Sequence, residues 1–153
     1  MLISQLISET RVVPDLIGKD KVAVLTVLAD VLAQELPQVS GEEIVEIFME
    51  RERLGSTGIG KGVAVPHGRL KELEKPLAVL GRSINGVSYD ANDGKPVHLL
   101  IALLSPDGSG MPHLQALSAI SRLLNQDARR TQLLAASDQK NLYEAIILEE
   151  NEG

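Results

Sequence analysis

The chain has 153 residues, of which 44% are hydrophobic and 24% charged, a composition suited to a single domain (residues 1–153) with its own core. Its net charge of −6, together with one Phe, two Tyr and no Trp, argues against a nucleic-acid partner, which needs a basic face and aromatic stacking platforms. The lack of Cys excludes disulfides, thiol catalysis and cysteine-ligated zinc, and the lack of a signal-peptide pattern or an apolar run of about 18 residues predicts a cytoplasmic protein without membrane insertion.

Two helices are predicted first in the chain. Apolar residues recur at helical spacing from Lys19 to Glu35, and Pro37 ends this helix. A second helix begins at the capping box Ser40–Glu43 and is closed by Gly55.

Strands follow, and then more helices. Strands are predicted at Val63–Val65, Leu77–Ile84, Gly86–Tyr89 and Val97–Leu104, with a turn at Asp90–Gly94. The last strand is apolar almost throughout, as a central buried strand should be. Helical patterns cover 110–125, 127–136 and 140–149, and the acidic tail 149–153 is expected to be frayed and solvated. The order predicts an α/β fold with a mixed sheet covered by helices on both faces.

The stretch from Gly55 to Gly68 contains the strongest functional signal. It places His67 directly after Pro66, which fixes the backbone, and before Gly68, which leaves the ring uncrowded. An imidazole held in this way could act as a base, a ligand or a nucleophile. The alternative is a structural or solvent-facing histidine beside a turn.

The glycines of this stretch imitate nucleotide-binding loops but do not match them. Gly55, Gly60 and Lys61 have P-loop spacing, yet Gly62 stands where a Ser or Thr would hold magnesium. The loop also follows a helix and enters a strand, the reverse of a P-loop, and the Rossmann pattern lacks its third glycine. We predict instead an anion-binding nest of backbone N–H groups. The alternative is a helix C-cap followed by a tight turn.

Arg51 continues the apolar stripe of the second helix. It lies seven residues after Ile44, on the inward face of the last turn, whereas Arg53 falls off the stripe and should be solvated. An inward arginine needs an anionic partner. The alternative is an arginine that snorkels to the surface or binds the last carbonyls of the helix.

His113 begins the apolar stripe of a later helix, whose first turn is marked by Pro112. A ring there lies near the positive end of the helix dipole, where an anion is favoured. The alternative is a structural histidine bonded to Ser109. His98 lies in a strand, and we interpret it as structural.

These residues together suggest a phosphohistidine site. His67 would be the nucleophile, Arg51 would clamp phosphoryl oxygens, and His113 would donate a hydrogen bond to the phosphoryl group or orient the first ring. We add Ser56, Thr57 and Gly68 of the same loop as phosphate-binding residues. With no acidic pair or metal-binding triad evident in the sequence, neither a metal nor a cofactor is predicted.

Residues 51–68, which read RERLGSTGIGKGVAVPHG, resemble the active-site signature of the EIIA type-2 family of the bacterial phosphoenolpyruvate-dependent phosphotransferase system. This family contains the fructose, mannitol and nitrogen-regulatory EIIA proteins, and the sequence of residues 51–68 is most similar to the nitrogen-regulatory branch. The segments 94–97 and 112–117 match as well. The resemblance implies that His67 is the phosphorylated histidine, with His113 and Arg51 beside it. It also implies a three-layer α/β/α fold with about five mixed strands. His98 departs from the acidic residue expected in this branch.

The function implied by the resemblance is phosphoryl relay. An HPr-like phosphocarrier would phosphorylate His67, and the phosphorylation state would control regulatory targets such as potassium-transport or sensor-kinase proteins. The alternatives are a sugar-specific EIIA that passes phosphate to an EIIB for sugar uptake, and a binding module with an inactive site. An exposed apolar docking face is expected around the site, with Ile59, Val63 and Met111 as candidates.

Overall fold

The computed structural model describes residues 1–108 and 110–152, in which helices are followed by strands and then by helices. Two short 3-10 helices, Ile3–Gln5 and Glu9–Arg11, begin the chain. The other elements are β1 (Val12–Val13), α1 (Lys21–Ala33), α2 (Gly41–Glu52), β2 (Gly58–Gly60), β3 (Val63–Ala64), β4 (His67–Leu70), β5 (Leu77–Val87), β6 (Val97–Pro106), α3 (Met111–Leu124), α4 (Asp127–Ala135) and α5 (Gln139–Glu152).

The strands form one mixed six-stranded sheet in the order β1-β5-β6-β3-β2, with β4 also paired to β6. The apolar strand β6 is central, as predicted, and β5 is antiparallel to it. Both β3 and β4 run parallel to β6, with Val63 opposite Leu99 and His67 opposite Leu103. These two short strands therefore follow one another along the same side of β6, and only Val65 and Pro66 separate them.

Each face of the sheet carries its own core. One face packs against α1 and α2, whose buried residues include Leu25, Leu28, Ile44 and Phe48. The other face packs against the N-terminal segment and helices α3 to α5, with buried residues that include Ile7, Ile120, Leu133 and Leu142. The predicted three-layer α/β/α fold is confirmed. In the part of the chain that the structure describes, no helix is long and apolar enough to span a bilayer.

The helix boundaries follow local capping signals. Asp20 caps α1 by accepting the N–H of Ala23 at 2.9 Å, so this helix begins two residues later than predicted. The predicted cap of α2 is present, since Ser40 Oγ accepts the N–H of Glu43 at 3.2 Å. The tail predicted to fray is helical over 149–152, since α5 continues to Glu152, and the Glu150 carboxylate accepts the N–H of Ser4 at 2.9 Å; Gly153 lies outside the described residues.

Several strand predictions are corrected. The predicted strand Gly86–Tyr89 is not separate, because β5 runs on to Val87 with a register shift after Arg82. The strands β1, β2 and β4 were not predicted. Each has only two to four residues, too few for a periodic pattern.

Candidate active site

His67 is fixed at the start of β4 by the pairing of this strand with β6. The backbone N–H of Leu103 in β6 donates to the Pro66 carbonyl at 2.9 Å. The ring of His67 is half-buried, and its Nδ1 lies 2.7 Å from the carbonyl oxygen of Val65. A carbonyl can only accept, so Nδ1 carries the hydrogen of the neutral ring and Nε2 carries the lone pair.

Arg51 contacts the other nitrogen of the same ring. Its Nε lies 3.3 Å from His67 Nε2, and since a guanidinium can only donate, this contact requires the same tautomer. Arg51 Nη1 also donates to the Gly55 carbonyl at 2.9 Å, just beyond the end of α2. Arg51 thus faces His67 and also binds a carbonyl next to the helix end, and its role as a partner for an anion stays a prediction. Arg53 is exposed and paired with Glu46, as its position off the stripe predicted.

Gly68 allows α2 to approach β4 closely. A Cβ at this position would lie 2.3 Å from Ile47 Cγ2, which is a steric clash. The sequence suggested that Gly68 leaves the ring of His67 uncrowded. The structure adds a packing reason, because a larger residue would push away the helix that carries Arg51.

His113 lies in the first turn of α3 and is 8% exposed. Its ring centroid is 5.8 Å from that of His67, with the two planes tilted by 48°. Its Nδ1 lies 2.6 Å from the hydroxyl of Ser105, a buried residue at the end of β6 that sequence reasoning missed. The predicted bond to Ser109 lies outside the described residues. The structure thus brings Arg51, His67 and His113 together from three elements.

Both histidine rings are electrically neutral near pH 7. Burial lowers the pKa of His67, the Arg51 charge lowers it further, and the Val65 carbonyl and the Glu52 carboxylate oppose this. Burial is also the largest cause that lowers the pKa of His113, followed by the positive charge of Arg69. A neutral His67 keeps its Nε2 lone pair available for attack.

Three N–H groups between Thr57 and Lys61 are not available for the predicted nest. They bind acceptors inside the protein: Thr57 N–H donates to Glu52 Oε1 at 3.1 Å and Gly58 N–H to Ser56 Oγ at 3.1 Å. The N–H of Lys61 similarly donates to an Asp93 oxygen at 3.3 Å. These three amides are occupied, so the nest prediction is wrong for them.

Thr57 is buried, and its hydroxyl donates to the Glu52 carboxylate. The Tyr89 hydroxyl lies 3.1 Å from the same Thr57 oxygen. Burial and the nearby Glu52 charge raise the pKa of Tyr89, so its phenol stays protonated and can donate to Thr57 or to Glu52. Ser56 Oγ donates to the Tyr89 carbonyl at 3.5 Å. The two hydroxyls therefore hold the loop in place, and phosphate binding by Ser56, Thr57 and Gly68 stays a prediction.

Glu52 is a buried carboxylate for which no role was predicted. Its side chain is 2% exposed and pairs with Lys21 Nζ at 3.0 Å. A signal for it was present in the sequence, because Ile44, Phe48 and Glu52 are spaced four residues apart on one helix face. The first two are fully buried, so a carboxylate at the next position needs partners.

The docking residues are only partly as predicted. Ile59 is 48% exposed and Met111 67%, as an apolar docking face requires. Val63 is 2% exposed and belongs to the core under α3, so its assignment to the docking face is wrong.

His98 Nδ1 lies 2.9 Å from the Ser83 carbonyl in the neighbouring strand, a structural contact as predicted. Among the described residues, no group of three or more His, Asp or Glu side chains could hold a metal ion.

The family model for "Phosphoenolpyruvate-dependent sugar phosphotransferase system, EIIA 2" matches residues 5–149. This chain belongs to the EIIA type-2 family. The family resemblance that residues 51–68 indicated is thereby confirmed, and the chain is a component of the phosphotransferase-system class.

Individual EIIA relatives show the same likeness. A nitrogen regulatory protein from Bradyrhizobium diazoefficiens is 36% identical over 148 residues, which cover 97% of this chain and 96% of that protein. A fructose-specific EIIABC component from Bacillus subtilis is 32% identical over 146 residues. These residues cover 95% of this chain but only 23% of that longer protein. The crystal structure of nitrogen regulatory protein IIA-Ntr from Neisseria meningitidis has a TM-score of 0.87 at 30% identity, covering 94% of this chain and 98% of that one. The predicted likeness to the nitrogen-regulatory branch is confirmed.

We expect the His67 ring of this EIIA domain to titrate below about pH 6.5, the ordinary value for histidine. Because burial lowers its pKa, the ring takes up its proton at a lower pH than the same histidine in the unfolded chain. The unfolded chain binds that proton first, so the stability linked to the neutral ring is complete above pH 6.5 and declines below it. Histidine NMR resonances followed from pH 8 to pH 5, with the urea-unfolded protein as reference, measure this. A His67 midpoint at or above that of the unfolded protein contradicts it.

Proposed function

We propose that this EIIA domain is a phosphocarrier that accepts a phosphoryl group on His67 from an HPr-like carrier protein. Its phosphorylation state then regulates partner proteins. The observation that supports this most directly is the pair of contacts on one ring, because Val65 fixes the hydrogen on Nδ1 while Arg51 lies beside the Nε2 lone pair. A neutral, oriented imidazole with a guanidinium at its reactive nitrogen is suited to take up a phosphoryl group.

The transfer requires one bond to form and one to break. The His67 Nε2 lone pair attacks phosphorus, and the P–N bond to the imidazole of the carrier breaks, with the electron pair leaving on the carrier nitrogen. The His67 ring then bears both the phosphoryl group and the Nδ1 hydrogen, and therefore a positive charge. The Val65 carbonyl accepts that hydrogen at 2.7 Å and stabilises the charged ring. The phosphohistidine is the intermediate of the phosphotransferase activity.

The neighbours of His67 stabilise the phosphoryl oxygens. Arg51 provides a planar cation that can bind two oxygens at once. His113 is neutral, and when the Ser105 hydroxyl donates to its Nδ1, its Nε2 carries a hydrogen that can be donated to the phosphoryl group. Ser56, Thr57 and Gly68 are proposed to support phosphate binding from the loop and the strand end. The contacts of Thr57 favour a positioning role.

The partner face is proposed to include Ile59 and Met111, which are exposed beside the loop and at the start of α3. Their apolar side chains can pack against an HPr-like carrier. The net charge of −6 can attract a basic patch on that carrier. Regulatory targets would include potassium-transport or sensor-kinase proteins, as the likeness to nitrogen regulatory proteins suggests.

We expect His67→Ala to abolish labelling by a phosphorylated HPr-type carrier, and His113→Ala and Arg51→Ala to slow it. Losing one charge-assisted contact costs on the order of 2–4 kcal/mol in the transition state, which is roughly a 30- to 1,000-fold loss in rate. Arg51→Lys keeps the charge but loses the planar fork, so it should also slow transfer, by less. Single-turnover rates of acid-labile label measure this.

Arg53→Ala is the matched control for Arg51→Ala. It removes the same charge two residues along the chain, where Arg53 is exposed and paired with Glu46. Its rate should equal that of the unmodified sequence. Label that persists in His67→Ala would remove His67 as the acceptor, and unchanged rates in both Arg51→Ala and His113→Ala would remove those residues from the site.

Sugar-specific transfer is the second candidate function, and the likeness to a fructose-specific EIIABC component favours it. In that case His67 passes its phosphoryl group to an EIIB domain for sugar uptake. The two candidates share the phosphohistidine and differ in the protein that responds to it or accepts its phosphoryl group. A purely binding role with an inactive site is the third, and the assembled Arg51, His67 and His113 argue against it.

We expect a regulatory output that depends on the state of His67 and needs no sugar. Phosphorylation adds about −1.5 to −2 charges beside an apolar docking face, so targets of the unmodified protein should bind more weakly afterwards. His67→Glu should imitate this to a lesser degree. Affinity capture with the two forms, read by mass spectrometry, and transfer assays with isolated EIIB domains decide between the candidates. Equal recovery of partners by both forms, with fast transfer to an EIIB, would establish the sugar-specific function instead.

A further inference from the structure

The buried carboxylate of Glu52 lies next to Arg51 in the chain, yet it takes no part in the transfer described above. It is the last residue of α2, and its side chain is almost wholly removed from solvent. Burying a carboxylate is costly unless it is paired and hydrogen-bonded. Glu52 meets both conditions, since Lys21 neutralises it and the Thr57 N–H and hydroxyl both donate to it.

A continuous series of hydrogen bonds connects Glu52 to the His67 ring. The carboxylate holds Thr57, and the Thr57 carbonyl accepts the N–H of Val65 at 3.0 Å. The Val65 carbonyl in turn accepts the Nδ1 hydrogen of His67. The position of the acceptor that selects the tautomer of His67 therefore depends on Thr57, and Thr57 depends on Glu52.

We propose that Glu52 is a positioning residue for phosphoryl transfer, which keeps Nε2 of His67 as the nucleophile by holding Thr57 and, through it, the Val65 carbonyl. This proposal rests on the proposed function of His67 as the phosphoryl acceptor. Because Arg51 and Glu52 are consecutive, the last turn of α2 controls both nitrogens of the ring. Arg51 acts on Nε2 directly, and Glu52 acts on Nδ1 through the loop.

The charge of Glu52 has a second effect on the same ring. The carboxylate raises the pKa of His67, against the lowering caused by burial and by Arg51. A negative charge that favours the protonated ring also favours the phosphorylated ring, which carries a positive charge of its own. His113 faces the same ring from α3, and its neutral state adds no opposing charge.

The test compares two variants with their matched controls and adds a third, milder variant. Glu52→Gln removes the charge at nearly constant shape, and Glu46→Gln makes the same change at an exposed site on the same helix. Thr57→Val removes the hydroxyl that donates to Glu52, and Thr57→Ser restores it. Tyr89→Phe is the mildest change, since it removes the hydroxyl that contacts Thr57 and Glu52 and leaves the carboxylate in place.

The first measurement needs no phosphate. Long-range ¹H–¹⁵N NMR reports which nitrogen of His67 carries the hydrogen in the unphosphorylated protein. The unchanged protein should show the hydrogen on Nδ1 of His67. Glu52→Gln and Thr57→Val should each show a mixture of the two His67 tautomers. Thr57→Ser, which keeps the hydroxyl, should show the same His67 tautomer as the unchanged protein, and so should Glu46→Gln. In Glu52→Gln the His67 midpoint should also move to lower pH, whereas in Glu46→Gln it should not.

The second measurement is labelling by phosphoramidate, a small donor that needs no docking surface. We expect the labelling reaction to be roughly 10- to 100-fold slower in Glu52→Gln and Thr57→Val. This is the usual effect of losing a residue that orients a reacting side chain without touching the substrate. Unchanged tautomer and rate in both variants, at a temperature where circular dichroism shows them folded, would overturn the proposal and leave Glu52 with a structural role. If Glu52→Gln does not fold, Thr57→Val decides the question. If the unchanged protein takes no label, the proposed function fails while the tautomer result still tests the positioning.

Discussion

The hydrogen bond from His67 Nδ1 to the Val65 carbonyl is the constraint on which the site depends. The two residues lie on either side of Pro66, Val65 just after the short strand β3 and His67 at the start of β4, and both strands pair with β6. The sheet thus fixes the backbone beside the ring, and the Val65 carbonyl orients the ring itself. The contact of Arg51 with Nε2 requires the ring to be in this position and in this tautomer.

Each layer of the fold contributes a different part of the site. The layer of α1 and α2 provides the cation Arg51 and the buried pair of Lys21 and Glu52. The opposite layer provides His113 at the start of α3, held by Ser105 from the end of β6. Removing one partner of a buried ion pair typically costs about 3–5 kcal/mol of folding stability. The buried Glu52 carboxylate is therefore stable near the site only because Lys21 and Thr57 bind it. Lys21 also lies 4.9 Å above the ring of Tyr89, which joins α1 to the same network.

The sequence predicted those features whose cause is local. The Ser40 cap of α2, the apolar strand β6 and the inward positions of Arg51 and His113 follow from spacing over a few residues, and the structure places them as expected. Partnerships between distant segments could not be predicted in this way. Thr57 and Tyr89 are 32 residues apart, and Ser105 reaches His113 across the loop after β6. Val63 was misplaced because the face on which a two-residue strand buries its side chains depends on its neighbours in the sheet.

The proposed mechanism requires that Nε2 of His67 accepts the phosphoryl group because the Val65 carbonyl holds the hydrogen on Nδ1. It can be tested by phosphorylating ¹⁵N-histidine-labelled protein with a phosphorylated HPr-type carrier and recording the coupling between phosphorus and the ring nitrogens. We expect coupling to Nε2 of His67, with Nδ1 still protonated. Coupling to Nδ1, or a phosphoryl group on any other residue, would contradict the mechanism.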